Sequence, residues 1–253
     1  MLTKNELKYY SMLLSKKHRK SEGKFLIEGK RLVAEGLESS YEPEVLFMTN
    51  SFVENNSDYI ESFKGIRPRI EVIASRDFDK IVDTQNSQGI AAAFKMPKCK
   101  TIESCSADII VALENIADPG NVGTILRNCD WFGIRQVVLS ENCADLYNPK
   151  VLRSGMGAIF HIEVFESNNF ISSLYELKNN GYRITCADMQ GDNVFRVKPA
   201  EKTVIVLCNE AFGPSAQLRD VSDSYITIPR IGRAESLNVA NASAVILAEF
   251  TSH

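Results

Sequence analysis

From about residue 107 onward, apolar strands alternate with helical segments, and this alternation constrains the fold more than any other feature of the chain. Asp108–Leu113 reads as a continuous apolar strand, the pattern of a strand buried in a parallel sheet. Asn121–Phe132 reads as a helix with Val122, Ile125, Leu126 and Cys129 on one side, ended by Gly133. Ile134–Leu139 is the next strand, and Phe160–Phe165 a short one. A helix over about 168–179 stops near Gly181. Tyr182–Ala187 and Val204–Leu207 read as strands, and Leu237–Phe250 as a closing helix. Buried strands alternating with helices predict an α/β fold whose parallel sheet is covered on both faces.

The first hundred residues predict a smaller α/β unit. Residues 5–14 carry a short helical pattern, Phe25–Gly29 a strand end, and Lys30–Leu37 a helix with Leu32, Val33 and Leu37 inward. Val45–Met48, Ile70–Ile73 and Gln88–Phe94 read as strands, with a helix at about 53–63. The polar break Met96–Thr101 sets the boundary: one domain over 1–97, a linker over 98–106, and a second domain over 107–253. A chain of 253 residues can bury two modest cores. No apolar run approaches the ~18 residues of a membrane span, and the N-terminus lacks the apolar core of a signal peptide. Cys99, Cys105, Cys129, Cys143, Cys186 and Cys208 show no CxxC spacing. Reduced thiols in a cytoplasmic protein without a metal site are expected.

Three segments share one form, a strand running into a polar loop. They are Leu113–Gly123, Leu207–Pro214 and Ile228–Ala240. In an open parallel sheet, ligands sit beyond the carboxyl ends of the strands, so the three loops predict one composite site. The third leads into the last helix, where free backbone N–H groups and short polar side chains converge. Each feature also has a plainer reading. Asp118 with Pro119 explains the first loop as a helix cap, and no GxxxxGK[ST] or GxGxxG supports a phosphate loop. Arg127 is either a surface arginine or a fork for a phosphate or carboxylate. Glu210 can cap backbone N–H groups or form a salt bridge, and Ser236 and Asn238 can simply cap the last helix. His18, His161 and His253 all lie outside these loops, against a Ser-His-Asp site.

The net charge of −3 hides an asymmetry: residues 1–36 hold nine Lys/Arg against four Glu. The tightest cluster contains Lys16, Lys17, Arg19 and Lys20. It is either a solvated helix end or a surface for RNA phosphates.

The three loops, in this order, resemble the SpoU/TrmH branch of the SPOUT superfamily, the RNA ribose 2′-O-methyltransferases. Asn121–Asn128 resembles the first family motif, Leu207–Gly213 the second, and Ile228–Val239 the third. Asn148–Ala158 also looks like the family. Gly23–Gly29 and Ser87–Ile90 are similar to the small L30e-like RNA-binding domain that many members carry. The resemblance implies a C-terminal sheet tied in a deep trefoil knot, S-adenosylmethionine as cofactor, and a homodimer. It places Leu207, Cys208, Asn209, Gly213, Ile228, Leu237 and Asn238 at the cofactor. Arg127 becomes the central catalytic residue, with Asn121, Glu210, Ser236 and Asn238 supporting it. Lys16, Lys17, Arg19, Lys20, Lys24 and Arg153 become the RNA contacts. Ribosomal RNA is favoured over transfer RNA as partner. Two departures stand out. Cys208 replaces a usual Gly, so its sulfur must point away from the cofactor. Arg153-Ser154-Gly155-Met156-Gly157 differs from the usual Arg-Ala-Ser-Met-Gly and keeps only Arg153 of the RNA-facing pair.

An arginine keeps its proton at neutral pH, so Arg127 is expected to bind phosphate and stabilise charge on the 2′-oxygen rather than act as a base. The alternatives are a non-catalytic RNA-binding protein with the same fold and a nucleotide-binding α/β enzyme of another kind.

Overall fold

The computed structural model describes residues 2–61, 68–98, 100–209 and 212–252. The elements run, in chain order, α1 (Lys4–Met12), α2 (Lys16–Glu22), β1 (Lys24–Glu28), α3 (Lys30–Glu38), β2 (Pro43–Thr49), α4 (Asn50–Asn55), α5 (Ser57–Glu61), β3 (Arg69–Ile73), α6 (Ser75–Phe78) and β4 (Ile90–Lys95). There follow β5 (Ile109–Glu114), α7 (Pro119–Trp131), β6 (Gln136–Ser140), α8 (Pro149–Gly155), β7 (Glu163–Ser167), α9 (Phe170–Asn179), β8 (Arg183–Asn193), β9 (Thr203–Cys208), α10 (Ala216–Val221), β10 (Ser224–Thr227) and α11 (Val239–Thr251). These make two units: Met1–Lys98 with Asp145–Phe160, and Cys99–Ala144 with His161–His253.

In the first unit the sheet order is β1-β4-β2-β3. β4 is antiparallel to both β1 and β2, and β2 is parallel to β3. Leu26, Val45, Phe47, Phe78, Ile81 and Ala93 form part of its core. The segment 145–160 joins this unit through aromatic packing. Tyr147 lies 4.5 Å from Phe25, and Phe160 lies 5.8 Å from Phe94 and 5.1 Å from Tyr41, ring centre to centre. Gly36 is required under these rings, because a Cβ there would sit 2.8 Å from Phe94 and 2.9 Å from Phe160. A single boundary at 98–106 does not anticipate this return of the chain. No local pattern reports which unit a short helix will pack on.

The second unit holds a six-stranded sheet in the order β10-β8-β9-β5-β6-β7, parallel throughout. Ile110, Ala112, Val138, Ile184, Val204 and Val206 are fully buried in its core, as two-sided burial requires. The end of the expected linker is held by this sheet. Ser106 and Ala107 N–H both donate to Gln136 Oε1 at 2.9 Å. The parallel α/β architecture follows the expectation, while some bounds differ. The strand expected over 160–165 is β7, shifted because 158–160 form a 3₁₀ turn. The helix expected at 53–63 divides at Asn56 into α4 and α5, and its last two residues lie outside those described. α10 and β10 were not foreseen; β10 has four residues and one buried position, too short for a periodic signal. No described helix is long and apolar enough to cross a membrane.

Candidate active site

Because β5, β9 and β10 run parallel to their sheet, their carboxyl ends lie on one side, and each opens a loop that the sequence singled out. The first two loops meet along adjacent strands. Asn209 N–H donates to Glu114 O, and Asn209 Nδ2 donates to Asn115 O at 3.2 Å. The Glu114 carboxylate is buried. It accepts from Ser215 N–H at 3.1 Å and from Ser215 Oγ at 2.5 Å, anchoring the far end of the second loop where Ser215 caps α10. Gly213 has φ +63° and donates its N–H to Asn209 O, so this turn needs the left-handed backbone that glycine adopts without strain.

The first and third loops are joined by side chains. Asn238 caps α11, its Oδ1 accepting from Ala240 and Asn241 N–H. Its Nδ2 donates to Asn121 Oδ1 at 3.0 Å. Asn121 sits in the first turn of α7, where Asp118 accepts its N–H at 2.9 Å. A second tie lies deeper: Asn128 Nδ2 donates to Ala240 O at 2.9 Å and to Ser243 Oγ at 2.8 Å. Capping by Asp118 and Asn238 is therefore real, and both caps also contact Asn121.

The remaining predicted residues divide. Leu207 is buried in β9, so it can offer only backbone to a ligand. Ile228 is partly buried, Ser236 is exposed, and every residue from 231 to 238 is exposed. Leu237 is 49% exposed. Arg127 is exposed on α7 and has no ion pair among the described residues. Glu210 lies outside the described residues. Cys208 is buried with its Sγ 3.7 Å from Cys186 Sγ. Its thiol is turned into the core, and hydrogen bonding to Cys186 and burial both push its pKa up. The Gly-to-Cys departure is thus absorbed inside the protein. The loop ends present backbone, neutral amides and apolar side chains, with the charged Arg230, Arg233 and Glu235 exposed on the third loop.

The basic residues of the first unit also divide. Lys16, Lys17 and Lys20 are exposed on α2. Arg19 is a correction: it is only 2% exposed and pairs with Asp145, and its Nη1 donates to Leu13 O and Leu14 O. A guanidinium so enclosed is a structural tie and cannot reach a phosphate. Lys24 pairs with Glu44 at 2.6 Å and lies over the Tyr9 ring. Arg153 pairs with Glu28 at 3.0 Å and Asp83 at 2.8 Å. Sequence reasoning missed Glu114, Asn115, Asn128 and Ser215. A Glu ending a buried apolar strand is the one signal that could have found the first.

Comparison with known proteins agrees with this geometry. The family described as SpoU rRNA Methylase matches residues 108–248, and the MRM3-like substrate binding domain matches residues 4–92. The 23S rRNA (guanosine(2553)-2′-O)-methyltransferase RlmP of Bacillus subtilis is 33% identical over 244 residues, covering 96% of this chain and 94% of that one. A TrmH-family structure from Porphyromonas gingivalis superposes with a TM-score of 0.88 at 29% identity, covering 99% and 98% of the two chains. An AdoMet-bound rRNA methyltransferase from Sinorhizobium meliloti gives a TM-score of 0.82 at 25% identity, covering 98% and 95%.

Proposed function

The chain belongs to the SpoU rRNA Methylase family, and we propose that its three joined loops hold S-adenosylmethionine while Arg127 aligns the ribose of a ribosomal RNA. The activity is transfer of a methyl group to a ribose 2′-hydroxyl of RNA. The observation that carries the site is the Asn238–Asn121 hydrogen bond, which ties the third loop to the start of α7, while Asn209 ties the second loop to the first.

When bound, S-adenosylmethionine supplies a methyl group on an already activated sulfonium. The chain's own task is alignment. Backbone groups at Leu207, Asn209 and Gly213, with Ile228 and Leu237, would hold the cofactor. Arg127 binds the phosphate beside the target ribose, and its fixed positive charge stabilises negative charge growing on the 2′-oxygen. Asn121 and Asn238 hold the first and third loops in register. Ser236 and Glu210 are assigned to the same supporting group.

The wider reading divides the labour: residues 1–97 contact RNA through Lys16, Lys17 and Lys20, and 107–253 carry out transfer. The trefoil knot belongs to the same proposal, as do a cytoplasmic location and a homodimer. The dimer reading assigns Trp131, Phe212 and Ile231, which are 81%, 87% and 100% exposed, to its interface.

Calorimetric titration with S-adenosylmethionine tests the site. One-per-chain saturable binding is expected, and Arg127→Ala is expected to keep that affinity while losing methyl transfer. Arg127→Lys is expected to transfer poorly, because the planar fork is lost. Loss of cofactor binding in a folded Arg127→Ala protein would remove the role given to Arg127. No binding by the wild type would favour the non-catalytic RNA-binding reading.

A further inference from the structure

The first unit contains a cavity of about 280 Å³ that the transfer chemistry does not use. Its wall includes Arg31, Leu32, Thr84, Asn86, Gln88 and Arg153. The polar wall is held in place by its own contacts. Gln88 Oε1 accepts the Lys30 N–H at 2.7 Å. Thr84 Oγ1 donates to Glu28 Oε2 at 3.1 Å, and Arg153 Nη1 donates to Glu28 Oε1 at 3.0 Å. Both carboxylate oxygens of Glu28 are thus engaged, one by a cation and one by a hydroxyl. Gly29, at φ +97°, makes the turn that starts α3 at the mouth.

This lining has the chemistry of nucleotide recognition. Planar amides and a hydroxyl match the hydrogen-bonding edges of a base, and Leu32 contributes an apolar part of the wall. Lys30 and Arg31 are exposed at the α3 N-terminus; Lys30 Nζ donates to Asn56 Oδ1 at 2.9 Å and Arg31 pairs through Nε with Glu35 at 3.1 Å, so a phosphate there would meet the helix dipole and the outer guanidinium nitrogens of Arg31. The volume admits one nucleotide and no duplex. Sequence-specific RNA recognition works on unstacked bases of this kind.

We propose that this cavity receives one unstacked nucleotide of the RNA substrate, its base against Thr84, Asn86 and Gln88 and its phosphate at Arg31. The inference rests on the RNA methyltransferase reading and adds where the RNA is read.

The test uses the full chain and an unmodified 23S rRNA transcript, with filter binding over a range of salt and methyl transfer measured in parallel. Asn86→Ala is expected to weaken binding about tenfold and leave the salt dependence unchanged, as loss of a base contact should. Arg31→Gln is expected to weaken binding and lower the log–log salt slope by about 1, as loss of a phosphate contact should. Both variants are expected to melt and bind S-adenosylmethionine as the wild type does. If the wild type methylates the transcript and both variants bind it undiminished, the cavity is not a recognition site. If the wild type neither binds nor methylates the transcript, the rRNA reading falls and this inference with it.

Discussion

Cys208 departs from the family pattern at a position whose side chain is buried. Its side chain packs in the core beside Cys186. Restoring glycine is therefore expected to change cofactor affinity less than threefold. It is also expected to cost roughly 1–2 kcal/mol of stability, through lost burial and added backbone freedom. Titration of Cys208→Gly with S-adenosylmethionine and its denaturant melt check the two parts separately. A large gain in affinity would mean that the sulfur intrudes on the cofactor. Arg19 makes the opposite point. In sequence it was indistinguishable from its lysine neighbours in the basic cluster. Its partner Asp145 lies 126 residues away, and no pattern local to residues 16–20 reports that a guanidinium will be taken inside.

At the scale of elements, α7 and α11 must keep a fixed relation for Asn121 and Asn238 to meet. Asn128 provides it, by donating to Ala240 O and to the buried Ser243 hydroxyl. Asn128→Ala is expected to lose about 1–3 kcal/mol. Asn128→Asp is expected to lose more, since a carboxylate oxygen would then face the Ala240 carbonyl. Chemical denaturation of both variants checks the order, and an aspartate variant as stable as wild type would contradict it. Strands with long apolar runs, such as β5 and β9, were legible because two-sided burial leaves a continuous signal. The helix starts were legible because Asp118-Pro119 and Asn238 mark them chemically. The cross-links were not. Glu114 to Ser215 and Asn128 to Ser243 span 101 and 115 residues, and depend on a strand order that sequence neighbours do not encode. β10 was missed for its length, and its close fit to β8 appears only in three dimensions. A Cβ at Gly191 would lie 2.4 Å from the Ile226 backbone nitrogen.

At the scale of the molecule, the proposed homodimer would cover the exposed Trp131, Phe212 and Ile231. Light scattering on the wild type is expected to give twice the chain mass, and Trp131→Glu with Ile231→Glu to give the monomer. A monomeric wild type at micromolar concentration would remove the dimer from the account. The central claim concerns where the methyl group goes. Its most direct measurement is incubation of unmodified ribosomal RNA with this protein and methyl-deuterated S-adenosylmethionine, followed by digestion and mass spectrometry of the nucleosides. The account predicts one labelled 2′-O-methyl nucleoside, absent with Arg127→Ala. Label on a base, or none from a protein that binds the cofactor, would contradict it.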